Sequence, residues 1–325
     1  MKVLVTGANG LLASNIIEEL LERGMEVRGM VRKTSNLLSL EGLRYEKFIG
    51  NISEPKDVAE AVKGCDVVIH VAADTNPTAT LENLWSTNVE STQFIINEVR
   101  NHQVKRLIFV STSNTFEYGT KEQPGKEKGG VSPVFQKSGY ALSKLEAQNL
   151  VLEAASEGKI NAVVVNPTFM IGARDAKPSS GEIILLYHRK RLAFVPPGGK
   201  NFVSVKDVAK GTCNAIDKGR SGECYLLGNE NLSYEDFVEK LSRVSGQKTK
   251  TLKLPAFILK FAGAGGSLIN KLGGNSRLTY TSAQFLTIKN YYTSQKAVKE
   301  LDFPQTPLKE AIKEALQWFK GIGYL

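Results

Sequence analysis

Tyr140 and Lys144 lie four residues apart in a stretch, residues 138–157, that reads as a helix, so the two side chains share one face. A phenol with its ordinary pKa of about 10 is a poor acid or base at neutral pH. An ammonium one turn away favours the phenolate and brings the phenol closer to working pH. Upstream, Ser111-Thr112-Ser113-Asn114-Thr115 ends an apolar run at 105–110. Hydroxyls at the carboxyl end of a central parallel strand lie where ligands bind in open sheets, and one of them can hold the oxygen that Tyr140 protonates. Taken alone, Y-x-x-x-K also describes a surface tyrosine beside a solvated lysine. The company it keeps sets this pair apart, since it follows Ser113 by about 27 residues and a glycine-rich opening by about 130.

That opening is a short β-branched run to Thr6, then Gly7-Ala8-Asn9-Gly10-Leu11-Leu12-Ala13, then a helical pattern with Ile16, Ile17, Leu20 and Leu21. Gly7 allows a tight turn, Gly10 removes a side chain where a pyrophosphate must approach the backbone, and Ala13 lets the helix pack close to the sheet. The helix start offers free N–H groups to an anion. The spacing G-x-x-G-x-x-A reads as a dinucleotide-binding corner, with an ordinary strand–turn–helix corner as the plain alternative. Residues 26–31 form the next strand, whose end would face the adenosine ribose. An NAD site wants a carboxylate there and an NADP site a cation. Arg32-Lys33 stand at that end, which favours NADP(H) over NAD(H) unless they are solvated loop charges. Glu26 opens the strand and should lie at the wrong end, while Arg28 serves as well as Arg32 if the register turns it that way.

The chain has 325 residues, 42% of them hydrophobic, and a net charge of +9. That is long enough for a full α/β core with a smaller lobe. Strands are expected at 43–49, 65–70, 160–166 and 223–227, and helices at 53–63, 81–101, 179–190, 208–218 and 308–320. Residues 194–199 read as a turn-rich connection, and 116–136 as a long loop at the wall of a site. Residues 255–290 are an apolar helical stretch broken by Gly265, Gly266, Gly273 and Gly274. They read as a helical hairpin, as a membrane-facing surface or as a wall for an apolar substrate. No apolar run is long enough to span a membrane, and neither a leader nor membrane association is expected. Cys65, Cys213 and Cys224 lack metal spacing and suit a reducing cytoplasm without disulfides. His70 reads as a satisfied structural histidine, His102 and His188 lack partners at ligand spacing, and no metal site is assigned. Basic and acidic residues are interspersed on helix faces, and no nucleic-acid partner is expected.

The glycine-rich opening, Val71-Ala72-Ala73, Ser111-Thr112-Ser113 and Tyr140 to Lys144 keep an order and spacing that resembles the extended short-chain dehydrogenase/reductase (NAD-dependent epimerase/dehydratase) superfamily, from residue 1 to about 230. Residues 27–32 and 165–172 resemble its dihydroflavonol-reductase-like and 3β-hydroxysteroid-dehydrogenase-like members. Sugar-nucleotide epimerases tend to carry an acidic residue after the second strand and an R-x-x-N-x-Y-G-P-like stretch, and neither occurs here. The resemblance implies that Tyr140 is the proton donor to a carbonyl and that Lys144 lowers its pKa and holds the nicotinamide ribose. It implies that Ser113 is the catalytic hydroxyl, with Thr112 the neighbour that could replace it. Gly7, Asn9, Gly10, Leu11 and Leu12 would line the pyrophosphate, Arg32 would meet the 2′-phosphate, and Asn51 and Ile52 would contact adenine. Asn51 departs from the more usual aspartate, leaving its carbonyl for the adenine amino group. Ala72 and Ala73 would floor the ribose site, Ser111 would join the cofactor contacts, and Pro167, Thr168 and Phe169 would border the nicotinamide.

The expected fold is therefore α/β, a Rossmann-type doubly wound parallel sheet formed by 1–170 with 200–228. A smaller C-terminal α+β substrate lobe would comprise 171–199 and 229–325. The expected activity is NADPH-dependent interconversion of a carbonyl and a secondary alcohol on a small, rather apolar molecule. One rival is a sugar-nucleotide epimerase or dehydratase with tightly bound NAD, which needs a diphosphate clamp from among Arg189, Arg191, Arg220, Arg243 and Arg277. The other is a non-catalytic NADP-sensing protein, which would usually lose the tyrosine or the lysine. A homodimer through the helices at 81–101 and 138–157 is a further expectation of the resemblance.

Overall fold

The computed structural model describes residues 1–76, 79–276 and 278–325. The strands are β1 (Lys2–Thr6), β2 (Glu26–Val31), β3 (Glu46–Ile49), β4 (Val67–His70), β5 (Arg106–Val110), β6 (Ala162–Pro167), β7 (Phe169–Ile171), β8 (Leu192–Val195), β9 (Gly199–Ser204), β10 (Cys224–Leu227), β11 (Glu230–Ser233), β12 (Lys250–Lys253) and β13 (Lys289–Asn290). The helices are α1 (Leu11–Glu22), α2 (Pro55–Val62), α3 (Leu81–Trp85), α4 (Ser91–Asn101), α5 (Gly139–Ser156), α6 (Glu182–Tyr187), α7 (Val205–Lys218), α8 (Tyr234–Ser245), α9 (Ala256–Lys271), α10 (Tyr280–Thr287), α11 (Gln295–Leu301) and α12 (Leu308–Gly321).

Seven strands form one sheet in the order β10-β6-β5-β4-β1-β2-β3, every pair parallel. This is the doubly wound α/β fold that the strand–helix alternation predicts. The central strands are apolar on both faces, because helices cover both. Ile16, Ile17 and Leu20 of α1 and Val208 and Cys213 of α7 close one side. Val58 of α2, Ile95 and Val99 of α4 and Val151 of α5 close the other. The order reverses between β1 and β4, and in such sheets the crevice at that switch point takes the ligand.

A second sheet is built around β9, which pairs with β11, β13 and β7, while β8 and β12 form a parallel pair of their own. Their apolar sides pack on α6, α8 and α12 through Phe202, Phe237, Ile312 and Phe319. Residues 194 and 195, expected as part of a turn, lie in β8, where the partner strand β12 arrives more than fifty residues later. The glycines at 265 and 266, expected as breaks, lie inside α9. Gly266 is there for contact, since a Cβ would come within 1.9 Å of the Leu278 carbonyl oxygen. The hairpin expected at 255–290 is formed by α9 against α10. The loop at 116–136 is pinned by single bridges from Gly119 to Tyr291 and from Gly125 to Tyr292, and by Phe135 packing at 5.2 Å on Phe285 of α10.

Candidate active site

At the switch point the turn after β1 meets the end of β4 with no room to spare. Gly7 has φ +63°, and a Cβ on it would come within 2.9 Å of the Ala72 Cα. Thr6 Oγ1 accepts hydrogen bonds from the backbone N–H groups of Val71 and Ala72, at 3.0 and 3.1 Å. Its own proton therefore goes to His70 Nδ1, 2.8 Å away. Thr92 donates its hydroxyl to the Asn88 carbonyl, so at 3.2 Å it accepts from His70 Nε2. These partners fix a neutral histidine, and burial pushes its pKa down to about 3. His70 is the structural group the sequence suggested.

Asn88 carries the line onward. It lies in a π-helical segment (Ser86–Glu90) that joins α3 to α4. Its amide donates to the Asp74 carbonyl and to Ser143 Oγ, and its oxygen accepts from the Asp74 N–H. The loop after β4 is thus fastened to α5, whose first turn carries Tyr140. Ser138 caps that helix by accepting from the Ala141 N–H. Nothing in the sequence marked Asn88 for this task. The only available signal was a polar residue on the buried side of a helix.

A cavity of about 890 Å³ runs along the carboxyl edge of the sheet, at the upper end of the range for small-molecule and cofactor sites. Its wall holds every site residue named above except Ser113: Gly7, Asn9, Gly10, Leu11, Leu12, Arg32, Asn51, Ile52, Ala72, Ala73, Ser111, Tyr140, Lys144, Pro167, Thr168 and Phe169. Ser113 is buried, and its influence falls on the Tyr292 phenol. Thr112 is on the wall instead, and its hydroxyl lies close enough to the Tyr140 phenol to pull that group's pKa down. Thr112 is held from behind, because Asn166 donates to its carbonyl at 3.1 Å and to Gln148 Oε1 at 2.8 Å. Sequence reasoning also missed Asp175, a buried carboxylate on the wall that accepts from the N–H groups of Ser179 and Gly181. Burial raises its pKa above the usual carboxylate range.

Electrostatics at the Tyr140 end differ from the expectation. Burial pushes the phenol up to about 12, and the opposing influence comes from Thr112, not from Lys144. The Lys144 ammonium donates instead to the Val110 carbonyl at 2.8 Å and lies 4.2 Å over the Phe109 ring. Burial pushes it down to about 7. At the other end Arg32 is exposed on the wall and takes part in no ion pair among the described residues. Arg28 is settled by its register, since it binds Glu46 and the Ala61 and Lys63 carbonyls, and none of these lies on the wall. Asn51 Oδ1 already accepts from the Ser53 N–H, which leaves one lone pair for a ligand. Among the clamp candidates, Arg220 pairs with Glu300 and Arg243 with Glu239. Neither these nor Arg189 and Arg191 lie on the wall, and Arg277 lies outside the described residues.

The description of the NAD dependent epimerase/dehydratase family matches residues 3–228. The chain belongs to that family. As a member it is an NAD(P)-dependent oxidoreductase acting on CH–OH and carbonyl groups. It is 31% identical over 330 residues to a Synechocystis sp. protein provisionally named a dihydroflavonol 4-reductase, with 99% of this chain and 95% of that one covered. It is 29% identical to the 4-hydroxy-2-methyl-3-oxo-4-farnesyl-3,4-dihydroquinoline-1-oxide ketoreductase of Stigmatella aurantiaca, over 78% of this chain and 76% of that one. The crystal structure of gox2253 superposes with a TM-score of 0.86 at 31% identity, covering 99% of both chains.

The wall of this family member fits a dinucleotide on its own evidence. Gly10 caps α1 without any side chain, so no side chain of the described residues caps the N–H groups of the first turn, and Gly10, Leu11 and Leu12 line the cavity. Ser111 Oγ is a buried hydroxyl on the wall with no hydrogen-bond partner among the described residues.

Proposed function

We propose that this family member is an NADPH-dependent reductase that interconverts a carbonyl and a secondary alcohol on a small, rather apolar substrate. The observation that carries the reading is one continuous cavity with Tyr140 and Lys144 at one end and an unpaired Arg32 at the other. The bound nicotinamide supplies or takes the hydride. The first turn of α1, with Gly7 and Gly10, holds the diphosphate, and Arg32 meets the 2′-phosphate. Lys144 and Ser111 orient the nicotinamide end, and Pro167, Thr168 and Phe169 border it. Tyr140 gives its proton to the developing alkoxide, with Thr112 rather than Ser113 as the hydroxyl beside it. A phenol pushed up to about 12 keeps its proton across neutral pH, which suits donation to a carbonyl more than abstraction from an alcohol. Relatives named as reductases of ketone-bearing molecules support the reaction class. The free cysteines suit a cytoplasmic setting. The division into a dinucleotide-binding part (1–170 with 200–228) and a substrate lobe is retained, as is a homodimer through the helices at 81–101 and 138–157, for which light scattering is the check.

The first test is a fluorescence titration of nucleotide-free protein with NADPH and NADH. NADPH should bind at least tenfold more tightly, about 1.4 kcal/mol, and Arg32→Ala should erase the difference. Equal losses for both nucleotides, or a preference for NADH, would overturn the NADPH assignment. In Tyr140→Phe, nucleotide affinity should stay and turnover should fall roughly 10²–10⁴-fold or more. Retained turnover would remove Tyr140 from the mechanism.

A further inference from the structure

The surface of α9 away from the cavity is unlike the rest of the molecule. At 3.6 residues per turn, Phe257, Leu268, Phe261, Leu272, Ile258 and Ile269 fall within about one third of the helix circumference. All six are exposed, Phe261 to 76% and Leu272 to 80%. The opposite side, Leu259, Gly263 and Gly266, packs on α10. Single exposed apolar residues are ordinary, but a stripe running the length of a sixteen-residue helix is a contact surface. Lys260 and Lys271 lie on the same border of the stripe, about three turns apart, exposed and outside any ion pair among the described residues. They belong to a larger asymmetry. From Lys240 to Lys299 the chain has eleven lysines and arginines and not one aspartate or glutamate, so this segment carries the whole excess of base in the protein.

We infer that α9 lies along an anionic lipid surface, with its apolar stripe in the headgroup–acyl boundary and Lys260 and Lys271 on lipid phosphates. The features are those of an interfacial helix: a polar border with two lysines, an apolar face with two phenylalanines, and no acid on the helix itself. A second copy of the chain fits the same face poorly. Two-fold pairing would bring the like-charged Lys260 and Lys271 borders of two helices together. No helix among the described residues is long and apolar enough to cross a membrane, so the contact is peripheral. The hairpin carrying the stripe also bears Phe285, packed on Phe135 of the loop just before Tyr140. The inference is independent of the NADPH reading.

The test is flotation of the full chain with vesicles of phosphatidylcholine alone and of phosphatidylcholine mixed with phosphatidylglycerol, at low and high salt. The protein should float with the mixed vesicles, stay behind with the neutral ones, and be released as salt screens the lysines. Phe261→Ser with Leu272→Ser should cut the bound fraction about tenfold, and so should Lys260→Glu with Lys271→Glu. Melting temperature and nucleotide affinity should be unchanged in both pairs, since these side chains are exposed. A wild-type chain left behind by the mixed vesicles, or flotation that neither pair alters, overturns the proposal. If the serine pair instead splits a dimer in light scattering while vesicles bind nothing, the stripe is a contact between copies.

Discussion

Thr112 and Ser113 are adjacent in the chain and serve different partners. A 3₁₀ turn begins at Ser113, and Thr112 caps it, which leaves the threonine hydroxyl toward Tyr140 and the serine hydroxyl toward Tyr292. Thr112→Val should therefore lower kcat by about 10²-fold with nucleotide affinity intact, while Ser113→Ala should stay within a few-fold of wild type. Steady-state kinetics of both variants decide it, and the opposite ranking would restore Ser113. Residue types and spacing were enough to pick out Tyr140, Lys144 and the glycine turn, which the fold brings to one cavity wall. They were not enough to choose between neighbouring hydroxyls, because a short turn decides which one faces the phenol. Asn88 was hidden for a similar reason: its partners, Asp74 and Ser143, come together only when three elements meet.

Among the elements, the connection from β7 to α6 brings Asp175 and its neighbours to the wall. Arg174, at φ +70°, fastens it to α1. Its guanidinium takes both oxygens of Glu18, at 2.7 and 3.2 Å, and donates to the Ser39 carbonyl at 2.8 Å. Asn15 adds a bond to the Ala173 carbonyl at 3.1 Å. A bidentate, partly buried pair of this kind is directional enough to set the position of a loop. In Arg174→Ala the dinucleotide Kd should rise several-fold with little change in melting temperature, measured by titration and thermal denaturation. An unchanged Kd would mean that Asp175 and its N–H partners hold the wall unaided. Strand and helix boundaries near the glycine turn were legible because apolar periodicity is local there, and β2 runs over the residues expected. Beyond residue 172 legibility fell. Phe194 and Val195 are strand because of a partner at Leu252 and Lys253, and α9 runs through Gly265 and Gly266 because α10 presses against it. Neither fact is encoded within a window of neighbours.

For the molecule as a whole, the buried relay from Thr6 through His70 to Thr92 sits where the two halves of the sheet diverge, so its integrity belongs to global stability. The native state refuses a proton on His70 until about pH 3, whereas the unfolded chain accepts one near 6.5. Below 6.5 the unfolded state thus binds more protons, and stability falls as the pH drops from 6.5 toward 3, by up to roughly 4–5 kcal/mol over the whole window. Denaturant midpoints measured from pH 7 to about 4 should show that decline, and His70→Asn should flatten it by one proton's worth. A parallel decline in both proteins would place the titration elsewhere. The glycine turn has a different consequence for anyone mapping the chain by replacing each residue in turn. The cradle between Gly7, Gly10 and the start of α1 is made of main-chain N–H groups, so it contains nothing that truncation can remove. Such a map would record these positions only as limits on bulk: at Gly7 because a methyl runs into Ala72, at Gly10 because it crowds the Gly7 carbonyl oxygen at 3.3 Å. The groups proposed to hold the diphosphate would leave no mark. They would become visible only to methods that edit the backbone itself, such as replacing single amides by esters.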